Sequence, residues 1–150
     1  MRLAIASDHA AVALKAELAA WLRDSGHDVA DLGPDNADSV DYPDYGYVLA
    51  EHVARGDAEI GIALCGSGIG ISIAVNRNPA CRCARVSEPL SARLAREHND
   101  ANVIALGARL IGSDMARSCV ETFLATSFAG GRHTRRVGKL TNPPPVETPV

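Results

Sequence analysis

The stretch IGIALCGSGIG, residues 60–70, contains the cleanest candidate for a central strand. Its first five residues form a continuous apolar run, which is typical of a strand buried on both faces of a parallel sheet. Glycines follow at positions 66, 68 and 70. A turn this rich in glycine lets backbone N–H groups converge on an anion, either as a phosphate cradle or as an oxyanion hole. The stretch therefore predicts a central parallel strand with a ligand site at its carboxyl end.

Apolar runs and amphipathic helical segments alternate on both sides of this strand. Further strands are predicted at residues 3–6, 29–32, 83–86 and 103–106, and helices are predicted to begin near residues 12, 44, 72, 90 and 113. This alternation predicts an α/β fold, a single-domain Rossmann-like three-layer sandwich with a parallel sheet of about five strands and helices on both faces. A C-terminal helical extension completes a domain over residues 1–140, and residues 141–150 form a Pro-rich tail.

The composition excludes several classes of protein. The chain has 150 residues, 47% of them hydrophobic and 22% charged, which fits one domain with a full-sized core. Its 15 Lys and Arg residues do not outweigh its 18 Asp and Glu residues, so no net positive charge attracts nucleic acid. No apolar run approaches the ~18 residues that span a bilayer, so we expect no membrane partner. Polar residues interrupt the first apolar run too early for a signal segment, and we expect a cytoplasmic protein with reduced cysteines.

Polar residues flank the ends of the predicted strands, where an open parallel sheet binds its ligands. The candidates are Asp8, His9, the turn at residues 65–70, Ser87, Glu88, His98, Asn99, Asp100 and Arg109. We expect His9 and His98 to lie at the same edge of the sheet. Asn99 and Asp100 can orient the His98 ring, and an imidazole with an ordinary pKa of ~6.5 suits proton transfer near neutrality.

Cys65 has two possible roles at the end of the central strand. A free cysteine is commonly a small residue of the core. A helix N-terminus and a nearby cation can instead lower the pKa of a thiol, ordinarily near ~8.5, so that it acts as a general base or a nucleophile. The glycine turn that follows Cys65 favours the second role.

Two further features also allow more than one interpretation. Arg132, Arg135 and Arg136 form either a solvated basic patch or, beside the glycine turn, a clamp for one phosphate group. The turn has the pattern Gly-x-Gly-x-Gly rather than Gly-x-Gly-x-x-Gly, although Glu88 falls 22 residues after Gly66, where a ribose-binding acid would be sought. A nucleotide-binding module without chemistry of its own is therefore the competing hypothesis.

Six blocks, in this order along the chain, carry a family resemblance. They are residues 7–9 (SDH), 41–45 (DYPDY), 65–74 (CGSGIGISIA), 87–89 (SEP), 97–103 (EHNDANV) and 130–133 (GGRH). With these blocks the chain resembles the ribose-5-phosphate isomerase type B family, which also contains the galactose-6-phosphate isomerase subunits. The resemblance runs from the first strand to about residue 137 and implies an aldose–ketose isomerase that acts on ribose 5-phosphate and ribulose 5-phosphate.

The resemblance also implies roles for individual residues. Cys65 is the base that moves a proton between the first two carbons of the open-chain sugar, Ser67 assists at a substrate oxygen, and His98 opens the sugar ring. The backbone of the turn holds the enediolate oxyanion, through Gly66, Gly68, Ile69 and Gly70. Substrate contacts are implied for Asp8, His9, Tyr42 and Asn99, and substrate or phosphate contacts for Arg109, Arg132 and Arg136.

The family forms dimers in which both subunits contribute to one site, so a homodimer, or a tetramer, with the active site at the subunit interface is implied. One branch of the family uses a glutamate base just past the turn, where this chain has Gly70, Ile71 and Ser72, so the cysteine mechanism is favoured. That mechanism needs no cofactor and no metal, and the His and Asp residues show no metal-ligand spacing. A four- or six-carbon sugar phosphate, such as an erythrose, allose or galactose phosphate, is the alternative substrate.

Overall fold

Five parallel strands form one sheet in the computed structural model, which describes residues 1–148. The strands are β1 (Arg2–Ser7), β2 (Asp28–Asp31), β3 (Ile60–Cys65), β4 (Cys83–Arg85) and β5 (Val103–Gly107), in the spatial order β2-β1-β3-β5-β4. The helices are α1 (Val12–Asp24), α2 (Tyr42–Ala54), α3 (Ile69–Val75), α4 (Pro89–Asn99), α5 (Ser113–Ala125) and α6 (Arg132–Thr141), and a short 3-10 helix at His9–Ala11 precedes α1. The predicted α/β fold is confirmed.

The apolar run at residues 60–64 forms the central strand, as predicted. β3 pairs with β1 on one side and with β5 on the other, and all six of its residues are buried. Because alternate residues of a strand face opposite layers, Ile62 and Leu64 pack towards α1, α4 and α5, whereas Ala63 and Cys65 pack towards α2 and α3. Cys65 is therefore part of the layer that also contains the helix after the glycine turn.

Two helices begin earlier than the sequence pattern predicts. α2 begins at Tyr42, with Pro43 in its first turn, where a proline leaves no helical hydrogen bond unmade. α3 begins at Ile69, directly after Gly68, whose backbone is left-handed with a φ of 75°. The glycine turn thus leads straight into α3, and the N–H groups of the first turn of α3 lie beside the carboxyl end of β3.

The connections between strands decide which residues share an edge of the sheet. α4 follows β4 and returns the chain to the edge where the strands begin. Asn102, which follows α4, marks this edge, because its backbone oxygen accepts from the N–H of Gly61 at 2.9 Å and its Oδ1 accepts from the N–H of Arg82 at 2.7 Å. His98, near the end of α4, lies at this amino edge, whereas His9 follows β1 at the carboxyl edge. The expectation that His9 and His98 share an edge is wrong, because a crossover helix that follows a parallel strand ends at the opposite edge.

The C-terminal helical extension predicted from the sequence is α6. It packs against α4, and none of its residues is buried. The predicted Pro-rich tail begins where α6 ends, and its residues 149 and 150 lie outside the described part of the chain. Among the helices of residues 1–148, none has the length and apolar character needed to cross a membrane.

Candidate active site

A cavity of about 340 Å³ opens at the carboxyl edge of the sheet, where β3 ends. Its walls are formed by Asp8, Tyr42, Cys65, Gly66, Ser67, Gly70, Arg109 and Leu110. Seven of these eight residues are candidates from the sequence. The lining comes from the residue after β1, from α2 and β3, from the glycine turn with the start of α3, and from the segment after β5. The cavity therefore lies where a parallel sheet ordinarily binds its ligands.

The Cys65 thiol lies at the floor of this cavity and is 4% exposed. The backbone N–H of Gly68 donates a hydrogen bond to its Sγ at 3.1 Å. This bond requires glycine at position 68, because φ is 75° and a Cβ there would lie 2.8 Å from the carbonyl carbon of Leu106. The turn can fold back over the sulfur only with glycine at this position.

The other three cysteines are held in the thiol form. Burial raises the pKa of Cys81 and of Cys119 to about 11. Burial, together with the neighbouring Cys81, also raises the pKa of Cys83. None of these three lines the cavity at the end of β3, and Cys119 lies in the core, as the sequence predicts. Cys65 is therefore the thiol that the fold presents to a ligand at this edge.

Two side chains close the cavity above the turn. The Arg109 guanidinium lies against Gly66, with Nη1 3.3 Å from the position that a Cβ would occupy. The Tyr42 ring lies against Gly70 and would be only 2.6 Å from a Cβ there. Ser67 also lines the cavity and is half-buried, and its Oγ accepts a hydrogen bond from the N–H of Ile69 at 3.2 Å. A hydroxyl, a cation and a phenol thus surround one space above the thiol.

Asp8 and His9 are fixed by the start of the 3-10 helix. Asp8 is 7% exposed, and its Oδ1 accepts from the N–H of Ala10 at 2.9 Å, which caps that helix. Nδ1 of His9 lies 3.1 Å from the backbone nitrogen of Val40 and 3.2 Å from its carbonyl oxygen, so the Val40 peptide holds the ring in place. Asp8 lines the cavity, and His9 is the next residue along the chain.

A second cluster of candidates lies at the amino edge of the sheet. The rings of His98 and His133 stack with their centroids 4.4 Å apart and an interplanar angle of 13°. Burial of the ring, followed by the positive charges of His98, Arg132 and Arg136, holds the pKa of His133 below its ordinary value. Asn99 lines a different cavity, of about 400 Å³. Because β3 has six residues, roughly 20 Å of strand separates this edge from the thiol.

The structure therefore divides the predicted site into two parts. Within one chain it joins Asp8, Tyr42, Cys65, the turn and Arg109, but not His98, Asn99, Arg132 or Arg136. The prediction that the arginine cluster lies beside the glycine turn is wrong for a single chain, because α5 and α6 follow β5 and carry the chain back to the amino edge.

Two findings at the end of β4 were not foreseen from the sequence. Arg85 Nε donates to the backbone oxygen of Ser67 at 3.0 Å, so this side chain contacts the glycine turn. The available signal was a charged residue at the end of an otherwise apolar strand. The Glu88 carboxylate accepts from the N–H of Ser91 at 2.9 Å, which caps α4, and hydrogen bonding by the side chain and then the backbone of Ser91 lowers the pKa of Glu88. This bond occupies the acid that the nucleotide-binding hypothesis required.

Comparison with known proteins assigns the chain to a class of sugar isomerases. Residues 3–140 match the sequence model of a family described as Ribose/Galactose Isomerase, and the chain belongs to this family. Among its relatives, ribose-5-phosphate isomerase B of Escherichia coli is 41% identical over 140 residues, 93% of this chain and 94% of the relative. A putative sugar phosphate isomerase of Bacillus subtilis is 43% identical over 143 residues, 95% of this chain and 96% of the relative.

Solved structures of two such enzymes superpose closely on this fold. Ribose-5-phosphate isomerase B of Clostridium thermocellum matches with a TM-score of 0.93 and 48% identity, over 94% of this chain and 95% of that chain. The enzyme of Mycoplasma genitalium, solved with bound ribulose-5-phosphate, matches with a TM-score of 0.90 and 37% identity, over 93% of each chain. The family resemblance found in the six sequence blocks is confirmed.

Proposed function

We propose that this protein interconverts ribose 5-phosphate and ribulose 5-phosphate through an enediolate, with Cys65 as the base. The observation that carries this proposal is the thiol at the floor of the carboxyl-edge cavity, with the N–H of Gly68 donating to its sulfur at 3.1 Å. The relatives named as ribose-5-phosphate isomerase B support the reaction and the substrate. The same cavity supplies a hydroxyl from Ser67 and a cation from Arg109.

In the direction from aldose to ketose, the thiolate of Cys65 removes the proton from C2 of the open-chain sugar. The C2–H electron pair forms the C1=C2 bond, and the carbonyl electron pair moves to O1 as an oxyanion. Cys65 then returns its proton to C1, while the proton of the C2 hydroxyl moves to O1. Ser67 relays that second proton, and the oxyanion is stabilised by N–H groups of the turn other than those of Gly68 and Ile69, which donate to Cys65 and Ser67.

A second copy of the chain completes the site in this proposal. His98, which opens the sugar ring, and the phosphate-binding Arg132 and Arg136 lie at the amino edge of their own sheet. A homodimer that sets the amino edge of one subunit against the carboxyl edge of the other would bring His98 of the partner subunit to Cys65. Exposed apolar side chains on α2 and α3 support such an interface, namely Tyr47, Val48, Ile69 and Ile73. A tetramer could be built from two such dimers.

The phosphate group has a suitable binding surface on α6. Arg132 and Arg136 are both exposed, and within residues 1–148 neither guanidinium forms an ion pair with a carboxylate. Arginine side chains that are not already paired can bind phosphate oxygens with two parallel hydrogen bonds. The reducing end of the sugar would then lie against the thiol, and its phosphate against α6 of the partner subunit.

A six-carbon sugar phosphate is the second candidate substrate, since the family description includes galactose. The deciding experiment measures kcat/KM for four-, five- and six-carbon aldose phosphates, with the wild-type protein, Cys65→Ala and Cys83→Ala as a matched control. We expect the highest value for ribose 5-phosphate, its loss in Cys65→Ala, and little change in Cys83→Ala, because Cys83 lies outside the cavity. Full activity of Cys65→Ala would refute the role of the thiol, and a preference for a six-carbon sugar would refute the substrate.

The compartment that we propose is the cytosol. All four cysteines are free. Free thiols in this number fit a reducing compartment.

A further inference from the structure

The peptide group between Ser67 and Gly68 forms hydrogen bonds at both of its ends. Arg85 Nε donates to the oxygen of Ser67 at 3.0 Å, and the N–H of Gly68 donates to Sγ of Cys65 at 3.1 Å. This oxygen and this N–H belong to one planar unit, so a donor that fixes the oxygen also fixes the direction of the N–H. A bond made by Arg85 is therefore linked to the sulfur of Cys65 through a single rigid group.

The surroundings of Arg85 favour its hydrogen bond to the Ser67 oxygen. It is the last residue of β4, it is half-buried, and its Cα pairs with that of Ala105 in β5. In the described part of the chain, residues 1–148, no carboxylate forms an ion pair with Arg85. The Ser67 oxygen also lies close to Gly107, 2.6 Å from the position that a Cβ there would occupy. The oxygen is thus enclosed between a glycine backbone and a guanidinium.

We propose that Arg85 is a positioning residue for Cys65, which holds the Ser67–Gly68 peptide so that its N–H points at the thiol sulfur. The inference rests on the proposed role of Cys65 as the base. Arg85 acts in two ways. Its bond fixes the orientation of the peptide, and its charge polarises the peptide so that the N–H becomes a stronger donor, by about 10–30% for each bond in such a chain. Both effects favour the thiolate of Cys65.

Removing the guanidinium should change the thiol without changing how substrate binds. In Arg85→Met the pH midpoint of Cys65 alkylation should rise by about half a unit to one unit, because a weaker hydrogen bond from the Gly68 N–H stabilises the Cys65 thiolate less. At neutral pH, kcat should fall about three- to tenfold, in proportion to the thiolate fraction. KM for ribose 5-phosphate should stay within about twofold, because Arg85 does not line the cavity.

The experiment follows the rate of iodoacetamide alkylation of Cys65 from pH 6 to pH 10 in the full-length protein. Trypsin releases residues 56–77 as one peptide that contains Cys65 and no other cysteine, so mass spectrometry reports this thiol alone. Arg85→Lys serves as the conservative variant, because an ammonium group can donate to the same oxygen. Arg23→Met is the matched control: Arg23 on α1 also donates to a backbone oxygen, that of Val29 at 2.9 Å, but it contacts no residue of the turn.

The proposal predicts a raised midpoint in Arg85→Met, a smaller rise in Arg85→Lys and none in Arg23→Met. An unchanged midpoint in Arg85→Met overturns it, as does an equal rise in Arg23→Met or in Arg85→Lys. If Arg85→Met does not fold, the comparison of Arg85→Lys with the wild type decides, and no rise there overturns the proposal. Failure of the proposed function gives a different result, because Cys65→Ala would then keep its activity whatever the midpoint does.

Discussion

Gly68→Ala tests whether the conformation of the turn requires glycine at position 68. Position 68 has a φ of 75°, and an added Cβ would lie 2.8 Å from the carbonyl carbon and 3.0 Å from the oxygen of Leu106. The left-handed conformation costs an alanine about 1–2 kcal/mol. Overpacking against the backbone of β5 adds about 1–3 kcal/mol, because neither backbone can rotate away as a side chain could. The free energy of unfolding should therefore fall by about 2–5 kcal/mol.

A matched control separates these two costs. Gly26 has a φ of 91°, but a Cβ there would meet nothing within 4 Å. Gly26→Ala should therefore cost only the conformational part, about 1–2 kcal/mol, and should leave isomerase activity unchanged. Urea unfolding at one fixed protein concentration measures both variants, since association would otherwise shift the midpoint. A Gly68→Ala protein that is no less stable than Gly26→Ala, or that keeps full activity, would refute the proposed geometry of the turn.

Two further predictions concern charges away from the thiol. Lys15 is 2% exposed, and its Nζ lies 2.5 Å from Oδ1 of Asp31. Asp31→Ala leaves the buried ammonium without its partner and should lower the free energy of unfolding by about 3–5 kcal/mol, whereas Lys15→Met removes the buried charge itself and should lower it less. Equal losses of the two variants in urea unfolding would contradict this. The pKa of His133 is lower in the folded protein than its ordinary value, so the unfolded chain binds the proton more readily and stability is lost as pH falls below about 6.5. His133→Gln should therefore lose less stability than the wild type between pH 7.5 and pH 5, and identical thermal-unfolding profiles would contradict the lowered pKa.

The strands were predictable from the sequence because burial on both faces leaves a continuous apolar pattern. The stretch at residues 60–64 was recognised as the central strand for this reason, and β3 extends it by a single residue. The start of α3 was missed because its first turn begins with Ile69 and Gly70, which read as part of the glycine turn. Local pattern does not distinguish a helix start from a loop where glycines dominate.

The site was predictable where the chain order itself places residues at one edge. Asp8, Cys65 and Arg109 each follow a strand, and the structure brings all three to one cavity. His98 precedes a strand, so the same rule places it at the other edge. Arg85 donates to a backbone oxygen 18 residues away, and the sequence signals only a charged residue at the end of β4, not the partner of this bond.

Complementation between two inactive chains measures whether Cys65 and His98 act together across a subunit interface. Cys65→Ala and His98→Ala chains with different affinity tags are co-expressed, and dimers that contain one of each are isolated by two successive purifications. If the sites are shared between subunits, one site of such a dimer lacks both groups and the other has both, so we expect about half of the wild-type activity per dimer. If each site used Cys65 and His98 of the same chain, both sites would lack one group, so an inactive mixed dimer would refute a site shared between subunits.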